Sequence, residues 1–369
     1  MNNIKTRSDI LKIIHCADIH LDSALNTKFD EEKSAIRKHE ILAAFVSMVR
    51  YAAANGVEAV IIAGDLFDTC RIDRAAGEVV YDLILKYTNI DFYYLQGNHE
   101  RDGFVSFIDE KPGNLFLFEN EWMSYIANDR RKGNIVVTGI NAQMQVSGFG
   151  YDYYEELVLD EEDFNIVVLH GEFDVRKFAG KEIDYLALGH IHEYRDGRID
   201  AKGIWCYPGC LTGRGFDECG KHGFVLLDID ENTRVMKRKF IQMTERGTDK
   251  IEIDVSGCGT DMQIVDVIEE TFLKADINED SIVRAVLCGD IDAEQRIDLH
   301  FIKKMFEDRL FYFEVEDRTG LKADDDSYMK EMTLKGEYVR TVKKRAGLSE
   351  TDKNEIIRIG LRALAGEEI

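Results

Sequence analysis

The chain has 369 residues but only two prolines, so no proline-rich linker marks where one domain ends and the next begins. It also lacks any C-x-x-C pair. Its seven cysteines, at positions 16, 70, 206, 210, 219, 258 and 288, are odd in number and scattered. That argues against a zinc knuckle or a disulfide framework and fits reduced thiols in a cytoplasmic protein. No apolar run approaches the roughly 18 to 20 residues needed to cross a bilayer, so no membrane role is expected. The opening "MNNIKTRSDILK" shows no apolar segment leading to a small-residue cleavage site, and no secretory signal is expected. Positive charge is scarce as well: 47 Lys and Arg face 70 Asp and Glu, a formal net charge of −23. Proteins that grip nucleic acid unaided carry a basic face that neutralises phosphates, so this balance counts against tight DNA binding by the chain alone. Divalent cations held in a site would reverse the local sign of the field.

What is present is an alternation of apolar strand-like runs with amphipathic helical stretches, the pattern of a layered α/β domain. "LKIIHCADIH", "VEAVIIAGDLFD", "DFYYLQGNHE", "GNIVVTGIN", "FNIVVLHGEF" and "IDYLALGHIHE" each read as a buried strand that breaks into polar residues. "HEILAAFVSMVRYAAANG" and "AAGEVVYDLILKYT" read as helices, the first stopped by Asn-Gly. "GIWCYPGC" and "HGFVLLDID" read as closing strands. The pattern changes near residue 246, where strand, helix, strand, helix, strand suits a small α+β domain. The boundaries expected are therefore 1–245, 246–321 and a tail at 322–369, whose residues 356 to 364 carry an apolar stripe at helical spacing.

Five strand ends carry metal-type ligands: Asp18 and His20; Asp65 and Asp68; Asn98 and His99; His170; His190 and His192. Five of the nine histidines fall there. Sites in layered α/β sheets form where the C-terminal ends of strands meet. Nitrogen and oxygen donors without thiolate suit Mn²⁺, Fe²⁺, Zn²⁺ or Co²⁺. Any one of these motifs alone is ordinary for a polar strand end. The order D-x-H, GD-x-x-D, GNH, H, GH-x-H, each closing an apolar run, is not.

These residues resemble the calcineurin-like metallophosphoesterases. "IIHCADIHLDS", "AGDLFD", "LQGNHE", "GHIHE" and "YPGCLTGRGFDECGKHGFVLLDID" are similar to the DNA-repair exonuclease branch represented by bacterial SbcD. The resemblance implies a four-layer α/β sandwich, two β-sheets flanked by helices, with a small α+β capping domain behind it. It implies two divalent ions, with Mn²⁺ first among the candidates. Asp18, His20, Asp65 and His192 would hold one ion. Asp65 would bridge to the second, completed by Asn98, His170 and His190. His99 would face the substrate as transition-state stabiliser or proton donor. Two ions about 3.5 to 4 Å apart suit in-line attack on a phosphoryl group, and a bridging position calls for a carboxylate. Asp68 reads as a hydrogen-bond partner of a ligand, and Arg214 as either a phosphate contact or a surface ion pair. Glu100 stands where the exonuclease branch shows Asp, and Cys210 where it shows Ser.

The function implied is a metal-dependent phosphodiesterase, a DNA nuclease of the SbcD type. An SMC-like coiled-coil ATPase partner would supply the DNA grip that the acidic chain lacks, docking on residues 335–369, and a homodimer is the family habit. The alternative is a phosphatase or phosphodiesterase for phosphoproteins or small nucleotides, which Glu100 and the acidic balance favour.

Overall fold

Apolar runs without polar alternation suit strands covered on both faces, and they occupy such positions here. The structure is a computed structural model that describes residues 10–25, 29–68, 72–100, 103–128, 133–141, 153–243, 246–291, 295–321 and 325–364. The chain divides into two compact units, Met1–Glu245 and Arg246–Ile369.

In the first unit, β1 (Ile10–Cys16), β2 (Ala59–Ala63), β3 (Asp91–Leu95) and β4 (Leu115–Leu117) are parallel neighbours. Beyond β1 the sheet continues antiparallel through β11 (Gly223–Asp230) and β12 (Met236–Gln242). A second sheet is built, edge to edge, from β5 (Met123–Asn128), β6 (Ile135–Gly139), β7 (Phe164–His170), β8 (Tyr185–Gly189), β10 (Ile204–Tyr207) and β9 (Arg195–Arg198). Its four central strands are parallel and its two edges antiparallel.

Side chains alternate between the faces of a strand, and that period sorts the apolar residues into two layers. Leu11, Ile13, Ala59, Ile61 and Tyr93 point between the sheets, against Val137, Ile166, Val168, Tyr185 and Ala187. Their neighbours Ile14, Val60, Ile62 and Phe92 point outward and pack under α1 (Glu31–Ala54) and α2 (Arg74–Lys86), through Phe45, Met48, Val49, Val80 and Ile84. Each such fully buried side chain contributes roughly 1.5–3 kcal/mol. The outer face of the second sheet, Val167, Leu169, Leu186 and Leu188, is closed by Phe178 of a 3-10 helix at Val175–Phe178 and by Leu157. Two short helices complete the unit, α3 (Gly103–Phe107) and α4 (Tyr153–Glu156). The result is an α/β sandwich of two mixed sheets flanked by helices. Asp30 caps α1 by accepting from the Lys33 amide, and Gly56, at φ +68°, takes the left-handed turn that ends it.

The second unit places β13 (Thr248–Asp254), α5 (Asp261–Lys274), β14 (Ile282–Cys288), α6 (Leu299–Phe306) and β16 (Tyr312–Asp317) in succession, with a two-residue pairing of β15 (Asp290–Ile291) and β17 (Gly320–Leu321). Both main pairings are parallel, because a helix crosses over between each pair of strands. Ile264, Ile268, Ile302 and Phe306 cover Ala285, Leu287 and Phe313. Three helices follow, α7 (Asp325–Lys330), α8 (Leu334–Lys343) and α9 (Glu350–Leu364). The apolar stripe of α9 packs Ile357 and Leu361 against Val339 and Val342 of α8. Among the described residues, no helix is long and apolar enough to cross a membrane.

Candidate metal centre

Because β1, β2 and β3 are parallel neighbours in one sheet, and β7 and β8 in the other, the polar residues that end these five runs are all delivered to one edge of the sandwich. The turns after them are tight. Asp18 (φ 51°), His20 (φ 49°), Asp65 (φ 51°) and His190 (φ 98°) occupy the left-handed region, which costs on the order of 1–3 kcal/mol for a residue with a Cβ. Ladder-like bonds hold the turns: the Asp18 amide donates to Gly64 O at 3.1 Å and the His20 amide to Asp65 O at 3.0 Å.

Three imidazoles have their Nδ1 occupied on the protein side, which leaves Nε2 aimed into the site. His20 Nδ1 lies 2.9 Å from Asp68 Oδ1, His170 Nδ1 lies 2.9 Å from the Ala63 carbonyl, and His192 Nδ1 lies 2.6 Å from Glu218 Oε1. Such partners fix the tautomer of a metal-binding histidine. The freed nitrogens meet one another: His20 Nε2 and His192 Nε2 are 3.1 Å apart. His170 Nε2 lies 3.2 Å from Asp65 Oδ2 and 3.0 Å from Asn98 Oδ1, and His190 Nδ1 lies 3.1 Å from the same Asn98 oxygen. Asp65 Oδ2 is also 3.9 Å from His20 Nε2, so this one carboxylate stands between the two groups of nitrogens. Asp18, fully buried, accepts the His190 amide on both oxygens at 2.9 Å.

The electrostatics describe a site built for positive charge. Burial opposes the ionised form of Asp65, yet the bond and charge of His170, together with His20 and the His99 amide, hold it at about 2. Burial likewise opposes charge on His170, and the carboxylates of Asp65 and Asp18 override it, lifting its pKa to about 9. Asp18 is raised by burial despite the nearby histidines. Lone-pair atoms brought this close repel unless a proton or a cation lies between them. The donor set, four imidazoles, two carboxylates and one amide oxygen, therefore fits divalent metals of borderline hardness. Asp18, His20 and His192 form one cluster of mutually close donor atoms, and Asp18, Asp65 and His170 form another.

His99 lies at the mouth of the site with its side chain 46% exposed, its Nδ1 3.3 Å from Asp68 Oδ1. Its amide donates to Asp65 Oδ1 at 3.1 Å. Asp68 sits behind His20. Arg214 is 14% exposed and is committed to the protein: its guanidinium reaches Glu218, Asp68, Ser23 Oγ and His192 Nδ1. Of the two readings of Arg214, the ion pair is the one present, and it is an interior pair.

One site residue, Glu218, escaped the sequence reading, and the structural role of a second, Glu100, was not foreseen there. Glu218, four residues beyond Arg214 in a loop with no helical or strand period, backs His192. Glu100, fully buried, accepts the amides of Phe67 (2.8 Å) and Gly97 (3.0 Å) and so ties the Asp65 turn to the Asn98 turn; burial lifts its carboxyl to about 7. A longer acid in place of Asp thus has a bracing role inside the protein. Cys210 is buried, with Sγ 3.2 Å from His222 Nδ1 and 3.6 Å from Glu218 Oε2.

Residues 11–194 match the family description "calcineurin-like phosphoesterase". The first unit belongs to that family. As a calcineurin-like phosphoesterase it is expected to work through a dinuclear metal centre, and the donors described above are those its own fold brings together. The chain is 25% identical over 283 residues to the uncharacterized metallophosphoesterase YhaO of Bacillus subtilis, covering 72% of this chain and 68% of that protein. It is 26% identical over 255 residues to the DNA double-strand break repair protein Mre11 of Methanosarcina mazei. That alignment covers 63% of this chain but only 38% of the Methanosarcina protein, so the chain matches well under half of that relative's length. Among solved structures, a dimetal phosphatase from Danio rerio aligns at 11% identity with a TM-score of 0.42, over 63% of this chain and 98% of that one.

Proposed function

We propose that this calcineurin-like phosphoesterase is a two-metal phosphodiesterase that cleaves DNA in the manner of the SbcD branch, with Mn²⁺ as its working metal. The observation that carries the reading is the position of Asp65, whose Oδ2 faces His20 Nε2 on one side and His170 Nε2 on the other. Asp18, His20, Asp65 and His192 would hold one ion, and Asp65, Asn98, His170 and His190 the second. The ions, when bound, supply charge neutralisation and an activated water for in-line attack. Asn98, a neutral donor, keeps the negative charge of the set down. His99 faces outward with Nδ1 held by Asp68, which leaves Nε2 to donate a proton to the leaving oxygen.

Relatives named as DNA double-strand break repair proteins support DNA as the substrate. The net charge of −23 counts against unaided binding, which makes an SMC-like coiled-coil ATPase the natural provider of DNA contact. Such a partner would dock on residues 335–369, where α8 and α9 lie; positions 365–369 fall outside the described residues. In this reading 246–321 is the α+β capping domain of the family and the protein works as a dimer in the cytoplasm. The same acidic charge favours the second reading, a phosphatase or phosphodiesterase for phosphoproteins or small nucleotides.

The deciding experiment compares bis-p-nitrophenyl phosphate, p-nitrophenyl phosphate and labelled single- and double-stranded DNA, with Mn²⁺ and with chelator. Cleavage of the diester and of DNA that is lost with chelator, in His99→Ala and in Asp65→Asn is the expected result. Cleavage of the monoester alone would overturn the DNA reading and leave the metal centre standing.

A further inference from the structure

One guanidinium joins the backs of two facing imidazoles. Glu218 Oε1 lies 2.6 Å from His192 Nδ1, and Asp68 Oδ1 lies 2.9 Å from His20 Nδ1. Arg214 touches both carboxylates, with Nη2 2.6 Å from Glu218 Oε1 and Nη1 3.4 Å from Asp68 Oδ1. Its Nε donates to Glu218 as well, at 3.0 Å, and Nη1 lies 3.3 Å from Ser23 Oγ. On the far side of the two rings, the Nε2 atoms face each other at 3.1 Å.

We propose that Arg214 and Glu218 are positioning residues for one of the two ions only, the one held by Asp18, His20, Asp65 and His192. The proposal rests on the two-metal reading above and adds which residues set the affinity of each site. A carboxylate behind an imidazole fixes its Nδ1–H tautomer and strengthens Nε2 as a donor. A buried Glu218 and a part-buried Asp68 held at one guanidinium would repel each other without it, and the shared Arg214 offsets that repulsion. The second ion's donors are supported differently: His170 leans on the Ala63 carbonyl, and the hydrogen bonds of Asn98 and His190 among the described residues run to His170, to each other and to Asp18, not to Arg214 or Glu218.

The loop that carries the brace is anchored both on α1 and on the turn of His192 itself. Arg37, 2% exposed on α1, donates from Nη2 to Gly213 O at 2.6 Å, and His222 Nε2 shares a 2.9 Å bond with Glu218 O. The Cys210 amide donates to His192 O at 3.1 Å. The loop therefore holds both the backbone and the imidazole of His192. With its nitrogens committed in this way, Arg214 has no fork left to clamp a phosphate.

The test is calorimetric titration of the full, metal-free chain with MnCl₂, with Glu218→Ala, Glu218→Gln and Arg214→Ala beside wild type. Wild type should bind two ions. Glu218→Ala and Arg214→Ala should weaken one binding step about 10- to 100-fold and leave the other unchanged. Glu218→Gln, which keeps an acceptor for the His192 Nδ1–H, should recover part of the loss. At saturating Mn²⁺, KM for bis-p-nitrophenyl phosphate should stay at the wild-type value in Arg214→Ala. Two unchanged steps in a folded Glu218→Gln and Glu218→Ala would overturn the proposal. So would equal weakening of both steps, or a raised KM in Arg214→Ala, which would make Arg214 a substrate contact. Wild type binding fewer than two ions would instead overturn the metal reading beneath it.

Discussion

Gly97 is the sharpest place to test whether backbone packing sets the geometry of the site. A Cβ built on it would lie 1.9 Å from Asp65 Oδ1, 2.3 Å from Asp65 N and 2.4 Å from Asp65 Cγ. Ordinary contact begins at 3.4 Å, so Gly97→Ala requires a displacement of about 1.5 Å. Rotating the carboxylate away does not suffice, because the backbone nitrogen of Asp65 is also in the way; the whole turn must shift. Gly97 is not among the residues with positive φ, so the substitution tests the clash alone and adds no left-handed strain. A misplacement of about 1 Å costs roughly 100-fold in rate. Since Asp65 stands between both groups of donors, neither ion can be spared. The expected outcome is a loss of at least about 100-fold in kcat/KM for bis-p-nitrophenyl phosphate at saturating Mn²⁺, together with a stability loss of roughly 1–3 kcal/mol. Gly113→Ala, where nothing lies within 4 Å of the added methyl, is the control and should match wild type. A folded Gly97→Ala protein within threefold of wild type would refute the reasoning, because Asp65 would then have slack that the packing denies it.

Other expectations follow from the same geometry. Chelation should lower the melting temperature of the first unit by on the order of 5–10 °C and leave the second unit unchanged, since an ion at 100 times its Kd adds about 2.7 kcal/mol; equal melting with and without chelator would contradict a built metal centre. Burial lowers His15 from 6.5 to about 3, so between those values the unfolded chain binds a proton that the native chain does not, and stability is complete above pH 6.5 and falls as the pH drops towards 3. At pH 5 that loss is about 2 kcal/mol, so the gap in urea-unfolding free energy between wild type and His15→Gln should narrow by that amount between pH 7.5 and pH 5; a constant gap would rule it out. Leu361→Ala, which hollows the small cluster between α8 and α9, should cost roughly 2 kcal/mol, the low end for a buried leucine because so small a cluster can collapse, and should expose α9 to limited proteolysis.

How much of this was legible depended on whether a residue belonged to a period. The buried central strands announce themselves as unbroken apolar runs, and α1 and α2 as amphipathic stretches closed by caps, because both faces of a strand or one stripe of a helix must be apolar to be buried. The edges do not. Strand β9 reads Arg-Asp-Gly-Arg and is exposed at three of its four positions; β12 pairs with β11 although three of its seven residues are basic, and the short β4 carries only three residues. An edge strand owes its pairing to a neighbour that already exists, so its own sequence carries little of the instruction.

The same distinction divides the candidate site. Asp18, His20, Asp65, Asn98, His170, His190 and His192 were legible because each stands where an apolar run stops, and parallel strands deliver such positions to one edge of a sheet. Glu218 stands at no such position. It reaches His192 because a loop, held at Gly213 by the buried Arg37 of α1 176 positions away, folds back over the strand ends, and no period in the sequence records such a contact.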